Sequence, residues 1–193
     1  HAPQTEEVRR YLESAQLTRE STLDRYPGSP ILAMRELQEG DRAVFIEKQL
    51  QEASALQQSA RARRGVSIVH GDGYAGLKTY LPPRENRGLV LIDPPYESER
   101  EFQEVVRALV FCVQRWPTGV IAIWYPIKAG PEANRLRATL RASGVRKLLL
   151  LELGVRPVDS PLGLNGSGVI VANPPWQFDI EMQPAMRELH RVL

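Results

Sequence analysis

Apolar positions along the chain alternate between a helical rhythm and short unbroken runs. Val8, Tyr11, Leu12 and Ala15 fall at helical spacing and predict an amphipathic helix over 5–15. A loop then ends in Tyr26-Pro27-Gly28-Ser29-Pro30, where Ser29 is expected to cap a helix and Pro30 to take its first position, with the helix ending near Leu37. Ala43-Val44-Phe45-Ile46 is a continuous apolar run closed by Glu47, and a helix-rich stretch follows over 48–62. Further runs at 66–69, 89–92, 120–124, 147–153 and 168–172 read as strands. They are separated by helices expected at 73–80, 101–116 and 132–142, with a last helix at 180–192. Gly, Pro and Asn between 157 and 165 predict a loop between the last two strands. Strands rich in Val, Ile and Leu that alternate with helices predict an α/β fold with a mostly parallel sheet and helices on both faces. No internal repeat or low-complexity segment interrupts the pattern.

A sheet of this kind binds ligands beyond the carboxyl ends of its strands, so the residues that close successive strands are the informative ones. Three are acidic. Glu47 closes the first run, Asp72 follows the second within His70-Gly71-Asp72-Gly73, and Asp93 closes the third. A carboxylate at the position of Glu47 can accept two hydrogen bonds from a ribose diol, which points to a nucleoside cofactor. Asp72 can hold an amino group of the purine while Gly73 lets the backbone approach the ring. Each acid taken singly also reads as a solvated group in a strand-to-helix turn; their recurrence at equivalent positions favours a shared cleft.

Leu91-Ile92-Asp93-Pro94-Pro95-Tyr96 is the most specific stretch. Two prolines after a buried strand remove backbone donors and fix an extended turn that projects acceptors. An amino group conjugated to a base is a poor nucleophile because its lone pair is delocalised into the ring. The Asp93 carboxylate and the Pro94 carbonyl can grip both N–H bonds, favour a pyramidal nitrogen and aim the lone pair at a methyl sulfonium. Tyr96 is expected to stack on the base. A carboxylate of ordinary pKa, about 3.9, cannot remove a proton from such a neutral amine before attack. Asp93 is therefore an acceptor that takes the proton, directly or through water, as nitrogen becomes positive. Alignment of donor and acceptor can supply roughly 7–11 kcal/mol of the barrier reduction.

Asn173-Pro174-Pro175-Trp176 follows a strand in the same way and competes for the role. Only one helix is left after Trp176, whereas Tyr96 is followed by enough strands and helices to complete a sheet, so the later turn is read as a structural echo. His70 reads as a strand-end hydrogen-bonding residue, Trp116 and Trp124 as core, and Arg61-Ala62-Arg63-Arg64 as a solvated helix end. Three scattered histidines and one cysteine provide no metal cluster, so no metal is expected.

Composition changes this picture little. The 193 residues are 42% hydrophobic and 25% charged, enough for a core without disulfides. A single cysteine, Cys112, suits a reducing compartment; with no signal peptide and no run near the roughly 20 residues that span a bilayer, a cytoplasmic protein without membrane association is expected. A net charge of +2, nearly all its cations arginine, permits an RNA partner without requiring one. Asn165-Gly166-Ser167 matches a glycosylation acceptor but reads as a turn.

The ordered set Tyr26-Pro27-Gly28-Ser29-Pro30, Glu47, Asp72-Gly73, Arg87 through Glu97 around Asp93-Pro94-Pro95-Tyr96, Trp124-Tyr125-Pro126, and Gly166-Ser167-Gly168 through Trp176 resembles the bacterial 23S ribosomal RNA adenine-N6 methyltransferases of the RlmJ type. The resemblance covers nearly the whole chain. It implies a Rossmann-like methyltransferase fold and a catalytic domain over 26–193, with residues 1–25 belonging to a helical insertion. It implies S-adenosylmethionine as cofactor, leaving as S-adenosylhomocysteine, against Ser29, Glu47, Asp72, Gly73 and Asp93, with Asp93 as catalytic proton acceptor and Pro94 and Tyr96 at the base. The partner implied is 23S rRNA, methylated at N6 of adenine 2030 by a monomer. The family begins with a further strand and a His-Ala-Gly-Ala-Gly type loop that nothing before Thr5 matches. The chain by itself is thus expected to lack the first strand and to bind cofactor weakly. DNA adenine-N6 or rRNA guanine-N2 transfer are the nearest enzymatic alternatives, and an RNA-binding domain with a vestigial cleft the non-enzymatic one.

Overall fold

A computed structural model of the chain describes residues 4–15, 26–157, 159–161 and 163–193. The loop expected before Tyr26 lies largely outside them. The chain divides into two compact units, Ala2–Thr79 and Tyr80–Leu193.

The first unit contains α1 (Glu6–Ala15), α2 (Ser29–Glu36), β1 (Ala43–Glu47), α3 (Leu50–Ala60), β2 (Val66–His70) and α4 (Gly73–Tyr80, its last residue falling in the second unit). β1 and β2 pair in parallel from Ala43↔Val66 to Glu47↔His70, as a βαβ crossover through α3 requires. α1 lies on α2, where the Ser14 hydroxyl donates to Glu36 at 2.6 Å. Gly76 faces β1 so closely that a Cβ there would come within 2.1 Å of the Ile46 methyl. The expected cap at Ser29 moves by one residue: Gly28 is the N-cap, and its carbonyl accepts from Ile31 and Leu32. Pro30, with its fixed φ and no donor to lose, suits the first turn either way.

The second unit carries β3 (Leu89–Ile92), α5 (Glu99–Arg115), β4 (Val120–Lys128), α6 (Glu132–Ala142), β5 (Leu148–Gly154), β6 (Leu164–Ala172) and α7 (Phe178–Val192). Its sheet runs β3-β4-β6-β5, with β3 and β4 parallel and β6 antiparallel to both neighbours. The α/β class is as expected, but the pairing is mixed where a mostly parallel sheet was predicted. Among its described residues the connection from β5 to β6 has no helix to carry the chain back, and β6 returns alongside β5 as a hairpin.

Ile121, Ile123, Tyr125 and Ile127 alternate along β4 and are buried on one face of the sheet. With Leu109 and Cys112 of α5, Leu136 and Leu140 of α6 and Ile170 of β6 they make up the core of this unit. Each large aliphatic side chain so buried contributes about 1.5–3 kcal/mol. β4 is four residues longer than its apolar run because Tyr125-Pro126-Ile127-Lys128 continues the ladder with β6. Beyond Ile123 the strand has no β3 neighbour, and a proline without an N–H is tolerated where one side of the strand is open.

Candidate functional site

The parallel pairing of β1 and β2 brings two of the acids to one end of the first unit. Glu47 and His70 close their strands in register, and the Gly71 amide donates to the Glu47 carbonyl at 2.9 Å. One Glu47 carboxylate oxygen accepts from the Gln49 amide at 2.7 Å, which fixes the half-buried side chain in one orientation. His70 is tied back through Nε2 to the Lys48 carbonyl at 3.1 Å, the strand-end role expected of it.

Asp72 caps α4, its Oδ1 accepting from the Ala75 amide at 3.0 Å. The capping bond leaves Oδ2 for other partners. A Cβ on Gly73 would meet nothing within 4 Å, so open space lies over the backbone that follows Asp72. A carboxylate held by one oxygen, a second capping a helix, and an uncovered glycine between strand and helix suit a flat polar ring and a diol. Ser29 is exposed, in the first turn of α2, next to the N-cap Gly28.

In the second unit Asp93 follows the last residue of β3, Ile92, which pairs with Ile123. Asp93 reaches solvent, yet the surrounding protein removes enough water to raise its pKa above the ordinary 3.8. Desolvation disfavours the ionised form, which makes the carboxylate a better proton acceptor than a free one.

Tyr96 departs from expectation. The turn places it at φ +50°, in the left-handed region, and this swings the ring inward. The residue is 6% exposed, with Phe102 at 4.7 Å and Trp124 at 6.0 Å between ring centroids. Its hydroxyl donates to the Trp124 carbonyl at 2.7 Å, just past the last β3-paired position on β4. A ring so enclosed has no free face for a base. Tyr96 ties the Pro-Pro turn to β4, and the strained backbone is held by those contacts. Phe102 and Trp124, which sequence reading passed over or placed in the core, are the residues that fix it.

The rival turn sits at the other pole of the same sheet. β6 runs antiparallel to β4, so Ala172 pairs with Ile121 near the start of β4 whereas Asp93 lies beyond Ile123 at its far side. The Asn173 side chain is committed, donating at 2.9 Å to both the Pro117 and Gly119 carbonyls. Changing Asn173 to Ala leaves two carbonyls without their donor and should cost about 1–3 kcal/mol in thermal melts. An unchanged melting temperature would show that the clamp adds nothing to stability.

Trp116 is buried between Gly88 and Gly119, as a core tryptophan should be. Cys112 is fully buried, and desolvation pushes its thiol up to about 11, leaving it inert. Among the described residues no helix is long and apolar enough to cross a membrane, and no group of three or more His, Cys, Asp or Glu could hold a metal.

Comparison with known proteins adds an independent line. The Ribosomal RNA large subunit methyltransferase J of Haemophilus influenzae (strain ATCC 51907 / DSM 11121 / KW20 / Rd) is 38% identical over 168 residues, covering 87% of this chain and 60% of its own length. Its namesake in Escherichia coli (strain K12) is 38% identical over 179 residues, 91% of this chain and 62% of its own. The chain thus spans about 60% of the length of the curated relatives it matches. The crystal structure of protein LPL1258 from Legionella pneumophila str. Philadelphia 1 superposes with a TM-score of 0.84 at 31% identity, over 93% of this chain and 67% of that one. A family model described as "Ribosomal RNA large subunit methyltransferase D, RlmJ" matches residues 2–193, and the chain belongs to that family.

Proposed function

We propose that this protein transfers a methyl group from S-adenosylmethionine to the N6 amino group of an adenine in 23S rRNA, releasing S-adenosylhomocysteine. The observation that carries the reading is the acid at the carboxyl end of each of the three strands β1, β2 and β3, the last within Asp93-Pro94-Pro95-Tyr96, in a member of this family. Residues 26–193 form the catalytic domain in this reading, and 1–25 belong to a helical insertion.

Glu47 accepts from the ribose hydroxyls with the oxygen that Gln49 does not hold. Asp72 accepts from the purine amino group while Gly73 admits the ring, and Ser29 lies against the amino-acid end. When bound, the cofactor supplies a methyl group on a positively charged sulfur. Asp93 and the Pro94 carbonyl accept the two N–H bonds of the target amine and direct its lone pair. As nitrogen becomes positive its proton turns acidic, and Asp93, with its raised pKa, takes it. Tyr96 keeps the turn in place. The adenine enters unstacked, from unpaired or extruded RNA.

Product analysis with labelled cofactor and deproteinised rRNA tests the reading: label is expected in N6-methyladenine. Label in N2-methylguanine, or in DNA alone, would sink it. Replacing Glu47 with Gln removes the charge that strengthens two hydrogen bonds, so the cofactor should bind about 10- to 150-fold more weakly by calorimetry on the intact protein. Unchanged affinity would take Glu47 out of the site.

A further inference from the structure

The pole of the four-stranded sheet opposite Asp93 carries an unexplained combination of groups. Four strand ends are tied in a row there: the Val120 amide donates to the Gly88 carbonyl, Asn173 bridges to Pro117 and Gly119, and the Asn173 amide donates to the Lys147 carbonyl at 2.9 Å. Three interstrand steps of about 4.8 Å give the row a length of roughly 14 Å. Arg84 and Arg87 precede one end of it, and Arg146 and Lys147 stand at the other; all four are exposed. None of the four forms an ion pair among the described residues. Glu85, Asp179 and Glu181 are the acids nearest in sequence to these groups, three against four cations, which leaves the pole net positive.

Three residues past Asn173, Trp176 is 87% exposed and Ile180, one turn on, is 60% exposed. The tryptophan is not on a loose loop. Pro174 and Pro175 fix the backbone before it, Gln177 at φ +61° and the start of α7 fix it after, and Asn173 is clamped at both of its carbonyl partners. A rigid indole that stays in water, beside guanidinium and ammonium groups with no ion pair among the described residues, is what a base and its flanking phosphates require. A protein partner would have to supply acidic side chains at both ends of the row as well as a slot for Trp176, whereas an RNA strand carries a phosphate at every nucleotide and bases between them.

We infer that this pole is a second RNA contact, distinct from the catalytic turn, in which Trp176 stacks on an unpaired base and Arg87, Arg146 and Lys147 neutralise phosphates. The inference rests on the reading of the protein as an RNA methyltransferase. It predicts that the substrate is gripped at two separate places on the sheet, so that much of the affinity for RNA lies away from the target base.

The test uses the intact protein and deproteinised rRNA, with binding measured at several salt concentrations and methyl transfer in parallel. Trp176→Ala should weaken RNA binding roughly 5- to 150-fold, the range of one lost base stack, and raise KM for RNA with kcat unchanged. Trp176→Phe should recover part of the loss. The double substitution Arg146→Ala with Lys147→Ala should flatten the dependence of log affinity on log salt by about 1.4, or 0.7 for each phosphate contact removed. These residues are exposed, so melting temperatures should stay within a degree or two of wild type. RNA affinity and salt slope unchanged in all three variants would overturn the inference. So would a loss seen only on assembled ribosomal particles, which would mark a protein contact. The wild-type protein separates the two claims: RNA binding that depends on Trp176, in a wild-type protein that methylates no RNA, would refute the proposed activity and leave this surface standing.

Discussion

Asp93→Asn is expected to lower kcat by about 10²- to 10⁴-fold, the range that a positioned proton acceptor supplies, while the protein folds and binds cofactor. Asn offers one acceptor where Asp offers two, and it presents N–H donors to an amine that has only N–H bonds to give. The same substitution should stabilise the protein at neutral pH. Burial raises the folded pKa of Asp93 above its ordinary 3.8, so the folded state holds this proton more tightly than the unfolded chain. The penalty on folding is absent below pH 3.8, grows as the pH rises through the folded pKa, and persists above it. Melting curves of Asp93→Asn and wild type should therefore separate at pH 7, with the variant higher, and converge in acid below pH 3.8. The acid limb of kcat against pH should also lie above 3.8. An Asn variant that is less stable at pH 7 yet still inactive would mean that Asp93 organises the turn and that its acceptor role is secondary.

Gly168→Ala is expected to cost about 2–4 kcal/mol, which in a chain of this length lowers the melting temperature by roughly 5–15 °C. Gly168 on β6 lies between Tyr125 of β4 and Glu152 of β5 in one row across the sheet. The fully buried Tyr125 ring spans this row, passing over the glycine so that its hydroxyl donates to Glu152. Arg137 holds the same carboxylate with two nitrogens, at 2.9 and 2.8 Å. A Cβ on Gly168 would stand 2.3 Å from the ring carbon that bears the hydroxyl, with no flexible atom to give way. Either the ring leaves its place or the strands part, and in both cases a buried phenol and a paired carboxylate lose each other. Burial first, and the Glu152 carboxylate after it, keep that phenol protonated at any physiological pH. Combining Gly168→Ala with Tyr125→Leu should recover part of the loss, since the clash disappears with the ring. A melting temperature unmoved by Gly168→Ala would show that the sheet accommodates the methyl group.

Gly168 also bears on the proposed reaction, though it is remote from the proposed catalytic residue. Tyr96 anchors the Asp93-Pro94-Pro95 turn to the Trp124 carbonyl, and Tyr125, the next residue on β4, is the one held across Gly168. The turn is only as well placed as this part of β4, so loss of packing at Gly168 should lower transfer as well as stability.

Much of the local structure was legible because each signal acts over a few residues. Apolar runs set the positions of β1, β2 and β3; helical spacing and Gly-Pro breaks set α4 over Gly73–Tyr80 and α6 over Glu132–Ala142. The acids at strand ends were legible for the same reason, since a residue that closes a strand in a parallel pair must emerge at its carboxyl end. The extensions of β4 to Lys128 and of β6 back to Leu164 were not. Pro126, Gly166 and Gly168 read as breakers, and only a neighbour across the sheet shows that Pro126 pairs with Ser167 or that Gly168 leaves room for a ring.

Asp93-Pro94-Pro95-Tyr96 and Asn173-Pro174-Pro175-Trp176 show where that limit falls in function. The sequence by itself determined that each turn is rigid, follows a strand and ends in an aromatic ring, because prolines and apolar runs act on the backbone nearby. Only the tertiary structure decided that one ring is buried against Phe102 and Trp124 while the other is exposed, and that the two turns lie at opposite poles. Those outcomes depend on the direction in which β6 runs beside β4 and on a single positive φ at Tyr96, and neither is encoded within reach of the residues it affects.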